Sequence, residues 1–445
     1  MKTIKILFFL ITVAIAISLL AGCEGDTGPA GPQGSQGDSP FINVYDFGAV
    51  GDGLADDTEA LSSALTEGGD VYFPPGTYRV VSSLEVFSET MLRGAGAGQS
   101  VIFQAVSDGG ATLELNGDHI IISDLSVVGP NTTNDVYIAG ETGIQASAPD
   151  GERFQHIQIR DSEVIGFGSH GIRLHRVDDV IVSGNHVYRI GFAGIACLSC
   201  FDVRVDNNLV ESVKPGSPSA QNAYGIIFSY QGGQPTLDDP PPQRCIAHTN
   251  TVRDVPSWEG LDTHDGCFIT FSNNIVEGCR LGIHAGGTAG GAAVGVTMHD
   301  ISIVGNTLVA SGDIQHLHYG ISATGYDGHL AYNIAVADNI IQGFGTLHPN
   351  ATSGAVEIYY TRGVAVSGNV LKNYANCAIM FYRDNTSFIC SGNIIDSDGT
   401  PGGEGVCYSV WAKENENWGL ISGNQTSGVP ILVADPSRVI VVGNN

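Results

Sequence analysis

The densest chemistry in the chain sits in six consecutive residues, Gly260-Leu261-Asp262-Thr263-His264-Asp265. In a strand, alternate side chains share a face, so Asp262 and His264 project to one side and Leu261 to the other. An imidazole two residues from a carboxylate is suited to taking and giving protons near neutral pH. A second imidazole, His284, and a carboxylate, Glu357, recur at the same place in a repeated pattern, as do Arg173 and His175 before them. A base and an acid beside a neutralised carboxylate suit abstraction of the adjacent proton. Two carboxylates flanking a bond suit glycosidic hydrolysis instead.

The pattern that must position these residues is a repeat. Its marker is the Asn of an S/D/G-N type turn, at Asn185, Asn208, Asn250, Asn274, Asn306, Asn339, Asn369, Asn393, Asn424 and Asn444. Five and three residues before a marker, and two after, the positions are apolar in nearly every turn: Ile301, Ile303 and Leu308 around Asn306, for example, with Gly419 and Thr426 around Asn424 the weak case. Two earlier turns, at Ile120/Ile122/Val127 and Ile157/Ile159/Val164, share the register without the Asn. A second short strand in each turn opens with Gly and an aliphatic, as in Gly171-Ile172, Gly194-Ile195, Gly260-Leu261 and Gly282-Ile283. A period of two inside each segment excludes a helical repeat. No turn can bury its apolar side alone, so the turns must stack. The expectation is an all-β, single-stranded parallel β-helix of about twelve turns, roughly 60 Å long. The stacked Asn amides would bond one another and the turn backbone.

If each aliphatic after Gly points inward, the outward pairs down the stack are Arg173/His175, Ala196/Leu198, Ile227/Ser229, Asp262/His264, His284/Gly286, Ser322/Thr324, Glu357/Tyr359, Met380/Tyr382 and Cys407/Ser409. The largest insertions, 213–244, 286–299 and 311–319, surround the turns that carry Asp262, His264 and His284. Loops on a rigid scaffold around one strip of face make a groove.

Composition narrows the partners. The 445 residues hold 19 Lys and Arg against 46 Asp and Glu, a formal charge of −27. Such a surface excludes nucleic acid, which needs a basic face to displace counterions. Sixty glycines and 42% apolar residues fit a β-rich core. Met1 to Lys5 is a basic start, Ile6 to Leu20 an apolar run, and Leu20-Ala21-Gly22-Cys23 a small-residue ending, the form of a signal peptide over residues 1–22. Gly25, Gly28, Gly31, Gly34 and Gly37 then follow at every third position. Residues 23–40 are therefore expected to be a collagen-like tether, with a homotrimer as the alternative that the spacing allows. The remaining eight cysteines permit disulfides in an exported protein, and their pairing stays open. Cys197-x-x-Cys200 lacks a second pair, so no zinc site is assigned and the metal ligands are none. Calcium is the one ion the acidic surface suggests.

Two resemblances attach to these residues. The ending at Cys23 resembles the bacterial lipoprotein lipobox, which implies cleavage before Cys23, lipidation of its sulfur and a membrane-anchored exported body. The run Asn43-Val44-Tyr45-Asp46-Phe47-Gly48-Ala49-Val50-Gly51-Asp52-Gly53, with Asp56-Asp57-Thr58, Tyr72-Phe73-Pro74-Pro75-Gly76 and Leu92-Arg93-Gly94-Ala95-Gly96, resembles the opening of pectate-lyase-type proteins of the rhamnogalacturonase and epimerase branch. That resemblance implies a right-handed, pectin-lyase-like β-helix over 41–445. Its opening segment, 41–115, would include a short capping helix with Asp57 as N-cap. Within it, Gly260 to Asp265 is similar to the Asp-x-His-Asp/Glu turn of mannuronan C5-epimerases. This implies His264 as the catalytic imidazole, with Asp262 and Asp265 orienting it or the sugar. Glu259 stands where some relatives have Tyr, and Gly287 where others have Arg.

The resulting expectation is a carbohydrate-active protein that takes an acidic polysaccharide and abstracts the proton beside the sugar carboxylate, as a lyase or epimerase. Arg280, His284, Tyr319, Glu357, Arg173 and His175 would bind or neutralise substrate. A glycoside hydrolase and a non-catalytic adhesin are the alternatives, because fold does not fix function.

Overall fold

A computed structural model describes residues 41–107, 109–131, 137–214, 222–310, 319–345, 354–396, 408–414 and 416–445. The signal segment, Cys23, the Gly-X-Y tract and Cys407 lie outside them. From Val180 to Ile334 the apolar pairs before the Asn markers become strands that stack in parallel without a register shift: Val180 on Val203, Val203 on Cys245, Cys245 on Ile269, Ile269 on Ile301 and Ile301 on Ile334. A slip of one residue would turn every one of these side chains to solvent, so burial fixes the register. Fifteen strands form this sheet. The stack is longer than the markers suggested because strands at Ile42–Asn43, Gly69–Phe73 and Thr90–Gly94 precede the first repeated turn.

Every marker Asn joins one unbroken ladder. Asn306 shows the pattern: its backbone N–H and its Nδ2 both donate to Asn339 Oδ1, at 2.9 and 3.0 Å, and Nδ2 also donates to Phe271 O. Asn274 in turn donates twice to Asn306 Oδ1. The residue before each marker takes the left-handed conformation, as at Gly305 (φ 70°) and Asn273 (φ 54°). This is why Gly, Asp and Asn fill that position in every turn but one, where Thr249 adopts it at φ 53°.

The second column of strands carries the site. Ile195, Ile226, Leu261, Ile283, Ile321 and Val356 stack directly and are fully buried. In most turns a corner separates two short strands, but Thr251–His264 and Ile275–Gly286 run unbroken through it. His264 and His284 therefore stand on the two longest strands of the fold. The outward pattern holds up to Met380, which pairs with Trp411 and not with Cys407. Gly405-Val406 imitates the opening dipeptide in sequence, yet Val410 and Ala412 supply the buried apolar pair, and Ser409 is buried too.

The helix Thr58–Glu67 caps the stack with Leu61, Ala64 and Leu65 inward. Asp57 stands at its N-cap position, but its carboxylate accepts from Val50 and Gly51 N–H and not from the helix. Asp52 and Asp56 likewise accept from Leu54, Ala55 and Thr58, so this acidic cluster serves the turn. Among the described residues Cys197, Cys200, Cys245, Cys267, Cys279 and Cys390 are buried free thiols; Cys245 and Cys390 point into the core as apolar residues. Among the described residues no helix is long and apolar enough to cross a membrane.

Candidate active site

Parallel pairing sets Asp262 beside His284, and His264 beside Gly286. A Cβ on Gly286 would lie 2.2 Å from His284 Nε2. Glycine there gives the His284 ring room to lie along the strand toward His264, and the two rings meet edge to face at 6.0 Å. His264 Nδ1 is 3.2 Å from Ser229 Oγ and 3.5 Å from Asp262 Oδ2. About a quarter of the His264 side chain is exposed, whereas Asp262 is fully buried.

Burial sets the protonation pattern. It pushes His264 below its ordinary pKa and His284 down to about 3, His264 adding to the latter effect. Both imidazoles are therefore neutral at pH 7. Asp262 and Glu259 are pushed well upward by the same desolvation, Glu259 further by Asp262. Tyr319 donates its hydroxyl to Glu259 Oε1 at 3.1 Å and lies 3.3 Å from His284 Nδ1. Glu357, two turns beyond His284, accepts from Gly354 N–H and is raised to about 8 by burial.

A groove of about 540 Å³ opens beside His264 and is walled by Arg173, Gln145, Phe192, Tyr224 and Tyr230. Arg173 donates to the amide oxygens of Gln145 and Gln231, which leaves its charge uncancelled by those contacts. Asp262, His264 and His284 each bring one ligand atom to within 4.8 Å of the others, the one such group of three among the described residues.

The residues 41–305 match the family described as rhamnogalacturonase A/epimerase, pectate lyase-like. The chain belongs to that family. It is 26% identical over 347 residues to the pre-neck appendage protein of Bacillus phage B103, covering 74% of this chain and 36% of that protein. It is 33% identical over 157 residues to mannuronan C5-epimerase AlgE5 of Azotobacter vinelandii, covering 29% of this chain and 15% of that protein. The chain thus spans about a third of the length of the first curated relatives it matches. Its fold is that of the Azotobacter vinelandii mannuronan C-5 epimerase AlgE6 A-module, with a TM-score of 0.57 at 17% identity over 91% of this chain and 98% of that one. This rhamnogalacturonase/epimerase-type chain is related to carbohydrate-active β-helix proteins.

Within this family member, the sequence-based site divides. His264, Asp262, His284 and Tyr319 come together, and Arg173 lines the adjoining groove. Asp265 does not reach His264 by any hydrogen bond: its carboxylate takes the Tyr230 hydroxyl and the amide and hydroxyl of Thr288. It ties two insertions to the floor of the site. His175 is likewise a loop anchor, held with Arg176 on Asp239. Arg280 lies over Trp258 and donates to Ser257 O. At Gly287, where relatives carry Arg, a Cβ would already lie 3.2 Å from the Gly325 backbone. No metal ligands were expected from spacing, yet Asp262, His264 and His284 form a plausible set, because the repeat aligns residues 22 apart. Glu259 and Tyr224 were missed as site residues. Their signal was positional: each immediately precedes the opening Gly of its turn, as Tyr319 does, and Tyr224 pairs with Glu259.

Proposed function

We propose that this chain acts on an acidic polysaccharide by abstracting the proton beside a sugar carboxylate, as a lyase or an epimerase. The observation that carries the reading is a neutral, partly open His264 at the edge of a groove, backed by buried carboxyl groups that hold protons. His264 takes the proton. Asp262 and Glu259, as neutral acids, donate hydrogen bonds where negative charge develops on the substrate carboxylate. Tyr319, held between Glu259 and His284, is the second proton carrier.

Arg173 and Asp262 are three rungs apart in one column, about 14 Å. An arginine at that distance serves the carboxylate of a neighbouring sugar, which suits a polymer with charge on successive units. The aromatic walls Phe192 and Tyr224 suit sugar faces. A hydrolase would need one ionised carboxylate opposite a protonated one, and burial here holds Glu259 and Asp262 in the same protonation state. Export, anchorage through a lipid on Cys23 and a Gly-X-Y tether or trimer belong to the same proposal and rest on the N-terminal sequence. The acidic surface repels polyanions only within the screening length of about 8–10 Å, so Arg173 and the site decide binding.

The test uses the soluble body from Ser39 with uronate-containing and neutral polysaccharides. Unsaturated-uronate absorbance together with new reducing ends supports a lyase. Proton exchange at the sugar without cleavage supports an epimerase. Reducing ends alone would overturn the reading in favour of hydrolysis, and binding with no product would favour an adhesin.

A further inference from the structure

We propose that Asp262, His264 and His284 form a binding site for one divalent transition-metal ion of the zinc class. Two observations point to a ligand independently. The ligand atoms of the three residues lie within 4.8 Å of one another. Neither carboxylate oxygen of fully buried Asp262 has a hydrogen-bond partner, and Oδ2 lies 3.5 Å from His264 Nδ1, so the carboxyl group is aimed into the cluster. Buried polar atoms are normally satisfied, and a cation there would give the carboxyl group a partner.

The donor chemistry selects the ion. Two imidazole nitrogens and one carboxylate oxygen suit zinc and its first-row neighbours, with one position left for water. Calcium needs six to eight oxygens, which this set lacks. The ligand atoms of a tetrahedral zinc site lie about 3.4 Å apart, so small side-chain rotations close the present arrangement. The shell behind the ligands is already built: His284 Nδ1 lies 3.3 Å from the Tyr319 hydroxyl, which donates to Glu259. With the hydroxyl proton on Glu259, His284 donates from Nδ1 and keeps its Nε2 lone pair for the ion. Gly286 keeps that nitrogen clear of any side chain.

This assignment stands apart from the proton-transfer reading, although an ion on His264 would occupy the lone pair that reading uses. The test is titration of the untagged soluble body, stripped with chelator, with Zn2+ by calorimetry and with Co2+ by visible absorption. One equivalent is expected at a Kd in the micromolar range or tighter, with cobalt bands of low-coordinate geometry and a zinc-dependent rise in Tm. Asp262→Asn, which keeps shape, and His284→Gln should each weaken binding at least 100-fold. Tyr319→Phe should weaken it about 10- to 100-fold, and substitution of His186, a histidine outside the cluster that pairs with Glu211, as His186→Gln should leave it unchanged. Absence of binding at millimolar zinc overturns the proposal. So does binding that Asp262→Asn leaves intact while the variant melts as cooperatively as the parent.

Discussion

Tyr319 reaches back two turns to hydrogen-bond Glu259, at 3.1 Å from hydroxyl to Oε1, across sixty residues of chain. Neither residue falls within the Asp-x-His-Asp segment, yet Tyr319 links Glu259 to His284, whose ring meets that of His264.

Loss of the imidazole tests the chemistry directly. His264→Ala should lower kcat about 10²- to 10⁴-fold on any active glycan, followed by unsaturated-uronate absorbance or sugar proton exchange, while Arg280→Ala stays within a few-fold of the parent. Equal turnover in His264→Ala would remove it from the mechanism.

Arg173 should act on binding more than on chemistry. Arg173→Ala is expected to raise KM about tenfold on a polyuronate with kcat nearly unchanged, and to leave a neutral glycan unaffected. Steady-state kinetics at two salt concentrations separates the two parameters.

Glu357 supplies a pH signature. Its folded pKa of about 8 lies above the ordinary 4.5, so the native state binds the proton more tightly than the unfolded chain does. That contribution is complete below pH 4.5 and is lost as pH rises toward 8. Glu357→Gln should therefore stabilise the protein relative to the parent at pH 8, by on the order of 2–4 kcal/mol, and change little at pH 4.5. Thermal melts across this range would show the two curves converging in acid.

The Asn ladder should be costly to break. Asn306→Ala strands the Asn274 amide, its Nδ2 and the Phe271 carbonyl, all in buried surroundings, for a loss of about 3–5 kcal/mol. Denaturant unfolding measures it; a change below 1 kcal/mol would mean that water replaces the lost bonds.

Thiol labelling tests the described core. Cys197, Cys200, Cys245, Cys267, Cys279 and Cys390 are buried thiols, and burial pushes Cys279 and Cys390 up to about 12. These six should stay unlabelled by a thiol reagent until denaturant is added.

The fold was legible because its signals are local and repeated. Val203 and Val205, or Ile301 and Ile303, declare a buried strand face through spacing alone, and the Asn after a Gly or Asp declares the corner. The site was legible only where it shares that period, which is how Asp262, His264 and His284 were aligned. The contacts of Asp265 and His175 could not be read from spacing because their partners, Thr288 and Asp239, come from insertions that obey no period. Glu259 was hidden for a related reason: its partner stands two turns away, and nothing local announces a tyrosine reaching back. Trp411 took the place given to Cys407 because a chance Gly-Val imitates the opening of a strand.

In the Asn ladder every residue faces the same way: its backbone N–H and Nδ2 donate to the Asn oxygen of the next turn, and its own side-chain oxygen accepts from the Asn before, while Nδ2 also donates to a carbonyl of the preceding turn. Like-oriented amides add, so the corner of the stack carries a polarised thread along its length, the side-chain counterpart of a helix dipole. Such a thread gives the molecule a grammar for change. Whole turns can be spliced in, removed or borrowed from a relative provided each arrives in the same orientation with its Asn, and the groove then lengthens or shortens one rung at a time without disturbing the chemistry on its neighbours.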